Sequence, residues 1–220
     1  MIKITQEEVN EAVRLHGMWL KDSATGERAD FRYNDLSGLD LRGVDLRRAS
    51  LESANLSNAD FRGADLSRAD LRDADLRDAD LHSANLSYIN LNDAYLNSAD
   101  LSRSNLFNAN LRRANVCNVK LSYANLVCTD FSDANLSCSN FTGTRLQDVV
   151  FTDATLKGAI LKGAKFGYGS FKDVDFCGVD LNGVNLIGVD ITISQLAGAM
   201  YDSETVFPDF KARMIFKGVK

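Results

Sequence analysis

Proline is almost absent from this chain, which has one proline and 15 glycines among its 220 residues. That is too little proline for a flexible linker or a low-complexity tail. No stretch approaches the run of about 18 apolar residues that a membrane-spanning helix needs, and the first residues lack the apolar segment of a secretory signal. From these absences we expect one domain that stays in the cytoplasm and has no membrane partner.

The chain also lacks an excess of positive charge. It has 25 lysines and arginines and 30 aspartates and glutamates, which give a formal net charge of −5. A protein that binds nucleic acid directly normally carries a basic surface, so we expect no direct nucleic-acid binding. The four cysteines form no CxxC pair and have no histidines at zinc-ligand spacing. Free thiols in a reducing compartment are the simplest interpretation.

Motifs of catalysis are missing as well. The sequence contains no glycine-rich phosphate loop, no nucleophile elbow and no zinc-binding helix motif. Carboxylates are abundant, but they recur with a short repeat, so no pair stands out as general acid and base. We therefore expect a protein that is not an enzyme and that uses no cofactor and no metal.

A five-residue repeat is the main feature of the sequence. Its form is Ala-(Asp/Asn)-(Leu/Phe)-x-x, as at residues 59–63, which read Ala-Asp-Phe-Arg-Gly. We name the Leu/Phe position the centre. Centres fall at every fifth residue from Phe31 to Val206 without an insertion, and 32 of these 36 positions hold Leu or Phe.

A period of five fits neither the 3.6 residues of a helical turn nor the alternation of a long strand. A short extended segment followed by a turn does fit, because the small residue and the centre, two positions apart, then share one face. The Asp or Asn between them points outward, and the chain turns after each centre, where Gly, Asn, Asp and Ser are frequent. The repeat therefore predicts a solenoid with a filled interior and stacked parallel strands.

This pattern resembles the pentapeptide-repeat protein family over residues 29–206. The resemblance implies an all-β fold, a right-handed quadrilateral parallel β-helix with four repeats in each coil. The 36 repeats would then form about nine coils.

The N-terminal residues precede the repeat and predict a cap for the first coil. Thr5 and Glu8 match a capping box, and apolar side chains then follow at helical spacing. We predict an amphipathic helix over residues 6–21. Accordingly, residues 1–28 are assigned to the capping helix with its connecting loop, and residues 29–206 to the solenoid.

The C-terminal segment, residues 207–220, is too apolar for a loose tail. Its candidate contacts are Phe207, Phe210, Met214, Ile215 and Phe216. These side chains either cap the last coil or join two chains. The cap, and with it a monomer, is slightly favoured over a homodimer.

With four repeats in each coil, as the resemblance implies, every fourth repeat stacks in the same column on the outer surface. Two columns are candidate acidic ladders: the first holds Asp40, Asp60, Asp80 and Asp100, and the second holds Asp73, Asp93, Asp133, Asp153 and Asp173. One interpretation is a solvated surface of mixed charge, because Arg42 and Arg62 lie beside the first column. The other is imitation of the regularly spaced phosphates of duplex DNA.

A third group of outward residues is apolar. This candidate contact patch consists of Tyr88, Phe107, Val127, Cys128, Tyr168 and Ile187. Exposed apolar clusters often mark contact surfaces, and the alternative is a terminal segment folded over the patch. In the same register Cys117 and Cys138 lie one coil apart, so a disulfide is the alternative to two free thiols.

From these features we expect a rigid, non-catalytic scaffold that binds one or more proteins, which the sequence does not name. The alternative is a DNA mimic that binds a topoisomerase, since some pentapeptide-repeat proteins protect DNA gyrase from inhibitors. Several of those proteins carry loops that interrupt the coil, whereas this repeat is uninterrupted. Arginines in its first half also break up the negative field, so the scaffold is favoured.

Overall fold

The computed structural model describes residues 1–208. Over that range it has one α-helix, α1 (Gln6–Lys21), one short 3₁₀ helix (Ser194–Leu196) and six strands of two residues each. The strands are β1 (Ile2–Lys3), β2 (Asn34–Asp35), β3 (Arg145–Leu146), β4 (Lys165–Phe166), β5 (Gly169–Ser170) and β6 (Val189–Asp190). They form three parallel pairs, β1 with β2, β3 with β4 and β5 with β6.

Elsewhere in the repeat, successive coils are joined by single bridging residues. The bridges are parallel, connect each residue with its counterpart four repeats later and recur from residue 30 to residue 200, so four five-residue units make up each coil. The N–H of Leu71 donates to the carbonyl of Asn90 (2.8 Å), and the N–H of Asn90 donates to Ala69 (3.0 Å). Because this pattern repeats, each coil is hydrogen-bonded to the coils before and after it.

The centres and the small residues two positions before them fill the interior. Every centre from Phe31 to Leu196 is buried except Phe166, which is half-buried. This burial confirms the predicted division between inward and outward positions for that part of the repeat. Where a hydroxyl residue replaces the small residue it donates to a backbone carbonyl in the core, as Thr129 does to Leu106 (2.9 Å), so its burial leaves no unpaired polar group.

At many repeats an Asp or Asn precedes the centre and closes the turn that follows. The carboxylate of Asp60 accepts the backbone N–H of Arg62 (3.1 Å), and the equivalent bond recurs along the solenoid. This is an Asx turn, in which a side-chain oxygen accepts the amide two residues on. The outward Asp and Asn therefore have a structural role that the repeat pattern did not reveal.

The residue two positions after each centre has a left-handed backbone. Many of these positions hold a residue other than glycine, with φ between 55° and 64°. Glycines such as Gly63 (φ 67°) and Gly163 (φ 64°) occupy equivalent positions. A left-handed conformation costs an L-residue roughly 1–2 kcal/mol, so the bonds between coils must offset this cost at most turns.

The predicted N-terminal helix is present as α1 and begins with the predicted capping box. The N–H of Glu8 donates to the hydroxyl of Thr5 (3.2 Å), and the Glu8 carboxylate accepts the N–H of Thr5 (2.8 Å). Val9 is fully buried and belongs to the same apolar core as the centres. Before α1, β1 adds to β2 in parallel, a pairing that lies outside the repeat and was not predicted.

His16 connects α1 to the first coil and is fully buried. Its Nδ1 accepts the N–H of Ala29 (3.0 Å). The other ring nitrogen, Nε2, therefore carries the proton and donates to the carbonyl of Arg47 (3.0 Å). Burial lowers the pKa of His16, so this histidine is a neutral structural residue.

The last repeats depart from the predicted register. Asn185 pairs with Val206, whereas the strict repeat would pair it with Thr205. Tyr201 and Val206, both predicted to be inward centres, are each 43% exposed. The prediction that the five-residue series runs without an insertion to Val206 was therefore wrong.

Glu204 supplies the physical reason for this shift. The strict repeat would place Glu204 at the small inward position, where a carboxylate without a partner cannot be buried. One extra residue instead brings Thr205 to that position, and its hydroxyl donates to the carbonyl of Leu181 (2.9 Å). In the shifted register Phe207 rather than Val206 follows as the centre, and Phe207 packs half-buried against the core.

Candidate functional site

The first predicted acidic column is present on the outer surface. Parallel bridges connect its members in order, from Asp40 through Asp60 and Asp80 to Asp100, and then continue to Lys120. Each of the four carboxylates also accepts the backbone N–H of its own turn. The column is therefore part of the turn structure as well as of the surface.

Cations bind this column at both of its ends. Arg42 donates to the carboxylate of Asp40 from Nε (2.8 Å) and Nη2 (2.5 Å), and Arg62 binds Asp60 in the same way (2.9 and 2.6 Å). The hydrogen bonds from Arg42 lower the pKa of Asp40 to about 2. Lys120 lies 3.3 Å from the last carboxylate of the column. The result is a patchwork of charge rather than a continuous negative face.

The second acidic column occupies left-handed turn positions. Its members have φ between 58° and 62°; they are Asp73, Asp93, Asp133, Asp153 and Asp173. Arg113 interrupts the column and binds Asp93 with two hydrogen bonds (2.8 and 2.6 Å). Arg112 lies 3.3 Å from Asp133. This column is also of mixed charge, most strongly at its middle.

A polar coil divides the predicted apolar patch in two. One part holds Tyr88, Phe107, Val127 and Cys128, and the other holds Tyr168 and Ile187. Gln147 and Asp148 occupy the coil between them. In the first part the rings of Tyr88 and Phe107 pack edge to face with centroids 5.5 Å apart. In the second part Tyr168 is 78% exposed.

A basic cleft borders the first part of this patch. Its volume is about 250 Å³, and it is lined by Leu20 of α1 together with Arg47, Arg48, Ser67 and Arg68. The repeat pattern did not reveal it, because the cleft depends on where α1 lies against the first coils. The sequence did hold one sign of this face: Arg48, Arg68 and Tyr88 are 20 residues apart and occupy the same left-handed turn position on three successive coils.

The arginines of the basic cleft differ in their partners. Arg47 binds Asp45 through two hydrogen bonds (2.8 and 2.7 Å). Arg48 and Arg68 have no carboxylate partner among residues 1–208. The guanidinium of Arg68 instead lies 4.5 Å from the ring centroid of Tyr88, within the range of a cation–π interaction.

Groups that would indicate other chemistry are missing from the described part of the chain. No cluster of three or more His, Cys, Asp or Glu side chains there could hold a metal ion. No helix of residues 1–208 is both long enough and apolar enough to cross a membrane. The four cysteines are free thiols, including Cys117 and Cys138.

Of the predicted C-terminal contacts, only Phe207 lies within the described residues. Its ring packs edge to face on that of Tyr201, with centroids 5.2 Å apart. The other four predicted contacts lie outside the described residues; they are Phe210, Met214, Ile215 and Phe216.

Comparison with known proteins gives one family match. A sequence profile described as pentapeptide repeats matches eight overlapping stretches, which together extend over residues 24–192. No curated protein sequence matches the chain.

Several solved structures resemble this chain at low identity. QnrB1, a plasmid-mediated fluoroquinolone resistance protein, is 18% identical over 86% of this chain and 94% of its own, with a TM-score of 0.47. HetL, a pentapeptide repeat protein involved in heterocyst differentiation regulation in the cyanobacterium Nostoc sp. strain PCC 7120, is 26% identical. That match covers 88% of this chain and 97% of HetL, with a TM-score of 0.30.

Proposed function

The chain belongs to the pentapeptide-repeat family, whose fold is a right-handed β-helix, and we propose that it is a non-catalytic scaffold that binds protein partners through its outer faces. The observation that carries this proposal is the regular register of parallel bridges from residue 30 to residue 200. That register holds outward side chains in straight columns. A surface ordered in advance loses little conformational entropy when a partner binds.

The finer architecture belongs to the same proposal. The solenoid has about nine four-sided coils over residues 29–206, and α1 with residues 1–28 caps the first coil. The segment 207–220, of which only the first two residues are described, is assigned either to a cap on the last coil or to a dimerisation contact, with the cap favoured. The burial of Val9 in the core supports the first cap, and the packing of Phe207 supports the second. With the cap, a monomer is favoured over a homodimer, so light scattering should give the mass of one chain, and the mass of two chains would assign segment 207–220 to a dimer contact. The four free thiols fit a cytoplasmic setting.

A topoisomerase is the alternative partner, bound by the acidic columns as an imitation of DNA phosphates. The ion pairs of Arg42, Arg62 and Arg113 oppose this alternative, because they interrupt both columns. The same objection holds further along the second column, where Arg112 lies 3.3 Å from Asp133 and Lys172 lies 3.7 Å from Asp173.

Affinity capture from a lysate of the source organism, followed by chemical cross-linking, tests the scaffold. The native chain should enrich a defined protein that the heat-denatured chain does not. Failure to enrich any protein over that control would contradict the scaffold.

A gyrase supercoiling assay tests the alternative. The variant with Asn at positions 40, 60, 80 and 100 is well matched, because Asn keeps the oxygen that closes each Asx turn and loses only the charge. We expect no inhibition by the native chain. If the native chain inhibits supercoiling and the Asn variant does not, the chain is a DNA mimic and the scaffold proposal is wrong.

A further inference from the structure

Most arginines in the first coils are already bound. Each follows an aspartate by two residues and forms an ion pair with it. Arg48 and Arg68 follow the centre by two positions rather than one. The aspartates of these two units accept hydrogen bonds from the residue just before each arginine. Asp45 accepts the Arg47 side chain, and Asp65 accepts the backbone N–H of Ser67 (2.9 Å).

The two unpaired guanidiniums share the basic cleft, with Leu20 of α1 forming one of its walls. Arg28 adds a third guanidinium nearby, since its Nε donates to the carbonyl of Arg48 (2.6 Å). Like-charged groups held close together without counter-charges favour binding of an outside anion. Arginine suits this role because its planar fork binds a carboxylate with two hydrogen bonds.

Beyond the basic cleft the same face becomes apolar. Tyr88 lies against Arg68, Phe107 packs on Tyr88, and Val127 and Cys128 follow on the next coil. Arg48 and Cys128 lie four coils apart, which corresponds to a distance of about 19 Å along the solenoid at the spacing of neighbouring strands. An extended peptide of about six residues covers that length.

We infer that the basic cleft and the apolar residues beyond it form one docking strip for an extended segment of a partner protein, acidic at one end and apolar at the other. The docking strip is defined as Arg48, Arg68, Tyr88, Phe107, Val127 and Cys128. This inference rests on the proposed scaffold function and specifies the surface and the chemistry of the partner.

Charge argues against nucleic acid and against the chain's own C-terminal residues as the occupant. Nucleic acid carries a phosphate at every step, whereas the second half of the docking strip has no cation to meet it. The chain's own residues 209–220 carry Lys211, Arg213, Lys217 and Lys220 against one aspartate, so they would repel the basic cleft. An acidic and apolar protein segment complements both halves.

A peptide array tests the docking strip. The probes are immobilised peptides about eight residues long, enough to span the strip, with acidic residues at one end and Leu or Phe at the other. Their controls are scrambled peptides and peptides with Lys in place of each acid. The native chain should bind the designed peptides in preference to both controls. Equal binding to the controls, or none to the designed peptides, would overturn the inference.

Two variants locate the binding. Arg48→Ser with Arg68→Ser removes the cationic end, and serine already occupies other left-handed turns of this chain, such as Ser83. Binding should weaken about tenfold or more. Arg103→Ser is the matched control, because Arg103 has the same turn conformation and an aromatic neighbour, Tyr123, at 5.6 Å. If the control weakens binding equally, general charge attraction explains the result and the inference fails.

Two further outcomes separate this inference from the function on which it rests. If the native chain captures a protein from lysate and the Arg48→Ser, Arg68→Ser variant captures it equally, the scaffold stands and the docking strip is wrong. If the same substitutions change the mass by light scattering, a second copy of the chain occupies the strip and the inference is also wrong.

Discussion

The first and second halves of the solenoid fill the same interior with different side chains. Between residues 36 and 126 the centres are almost all leucine, with Ala at most small positions. Further along, Phe131 stacks on Phe151 with centroids 5.3 Å apart, and Phe171 lies tilted against Phe151 with centroids 5.0 Å apart. Phe141 packs edge to face against Phe151 (6.1 Å). The coil therefore tolerates either leucine or phenylalanine, provided that the position is apolar and the register is kept.

The turns differ between the halves as well. In the first half an Asp or Asn usually precedes the centre and closes the turn. In the second half six consecutive repeats lack it, with Arg145, Val150, Thr155, Ile160, Lys165 and Ser170 at that position. Glycine then occupies several of the left-handed positions, including Gly158 and Gly163. The Asx bond and glycine are thus two ways of stabilising one turn geometry.

Truncation of a centre should have the largest effect, and it should be similar in both halves. We expect Phe151→Ala to lower the free energy of unfolding by about 3–5 kcal/mol and Leu91→Ala by about 2–5 kcal/mol, through lost burial and a cavity. Denaturant titration measures both. Ser102→Ala, at an outward position, is the control and should change little. A loss at Ser102 as large as at Leu91 would show that the inward assignment is wrong.

Substitution of a turn glycine should have the next largest effect. Gly163→Ala should lower the free energy of unfolding by roughly 1–2 kcal/mol, because φ is 64° while an added Cβ would meet no atom within 4 Å. Ser83→Ala is the matched control at the equivalent turn four coils earlier, where one L-residue replaces another. Equal stability of the two alanine variants would mean that the left-handed backbone carries no cost here.

Addition of an Asx turn to the second half should stabilise it. Thr155→Asn places an acceptor where the first half has one and should raise the free energy of unfolding by about 0.5–1.5 kcal/mol. Asn135→Thr is the reciprocal change one coil earlier, where Asn135 accepts the N–H of Ser137 (3.2 Å), and it should destabilise. Thermal unfolding would measure both shifts, and shifts of the same sign would contradict this view of the turns.

The smallest expected effect is the pH response of His16. Its pKa is lowered by burial in the folded state, whereas an unfolded histidine titrates at about 6.5. Below that pH the unfolded state binds more protons, so stability should fall as the pH drops from 7 through 6.5 toward the folded pKa. His82→Gln should retain this slope and His16→Asn should lose it. A native chain with no slope between pH 7 and 5 would contradict the neutral assignment.

The five-residue period and the helical spacing before it predicted the interior and α1 correctly because both depend on local spacing. The extra residue before Thr205 was missed because it depends on one charged side chain, Glu204, at an inward position. The basic cleft was missed because it depends on how α1 lies against coils distant in sequence. The ion-pair partners of the aspartates were missed because they depend on side-chain geometry. That geometry pairs Arg47 with Asp45 but leaves Arg48, its neighbour in sequence, without a carboxylate partner among residues 1–208.

Quantitative capture by three forms of the chain tests the central claim most directly. The claim is that partners bind the docking strip, whereas the carboxylates of the first acidic column stabilise the turns and do not bind partners. The native chain and the variant with Asn at positions 40, 60, 80 and 100 should retain the same partner protein, and the Arg48→Ser, Arg68→Ser variant should lose it. Retention by the arginine variant together with loss by the Asn variant would contradict the account.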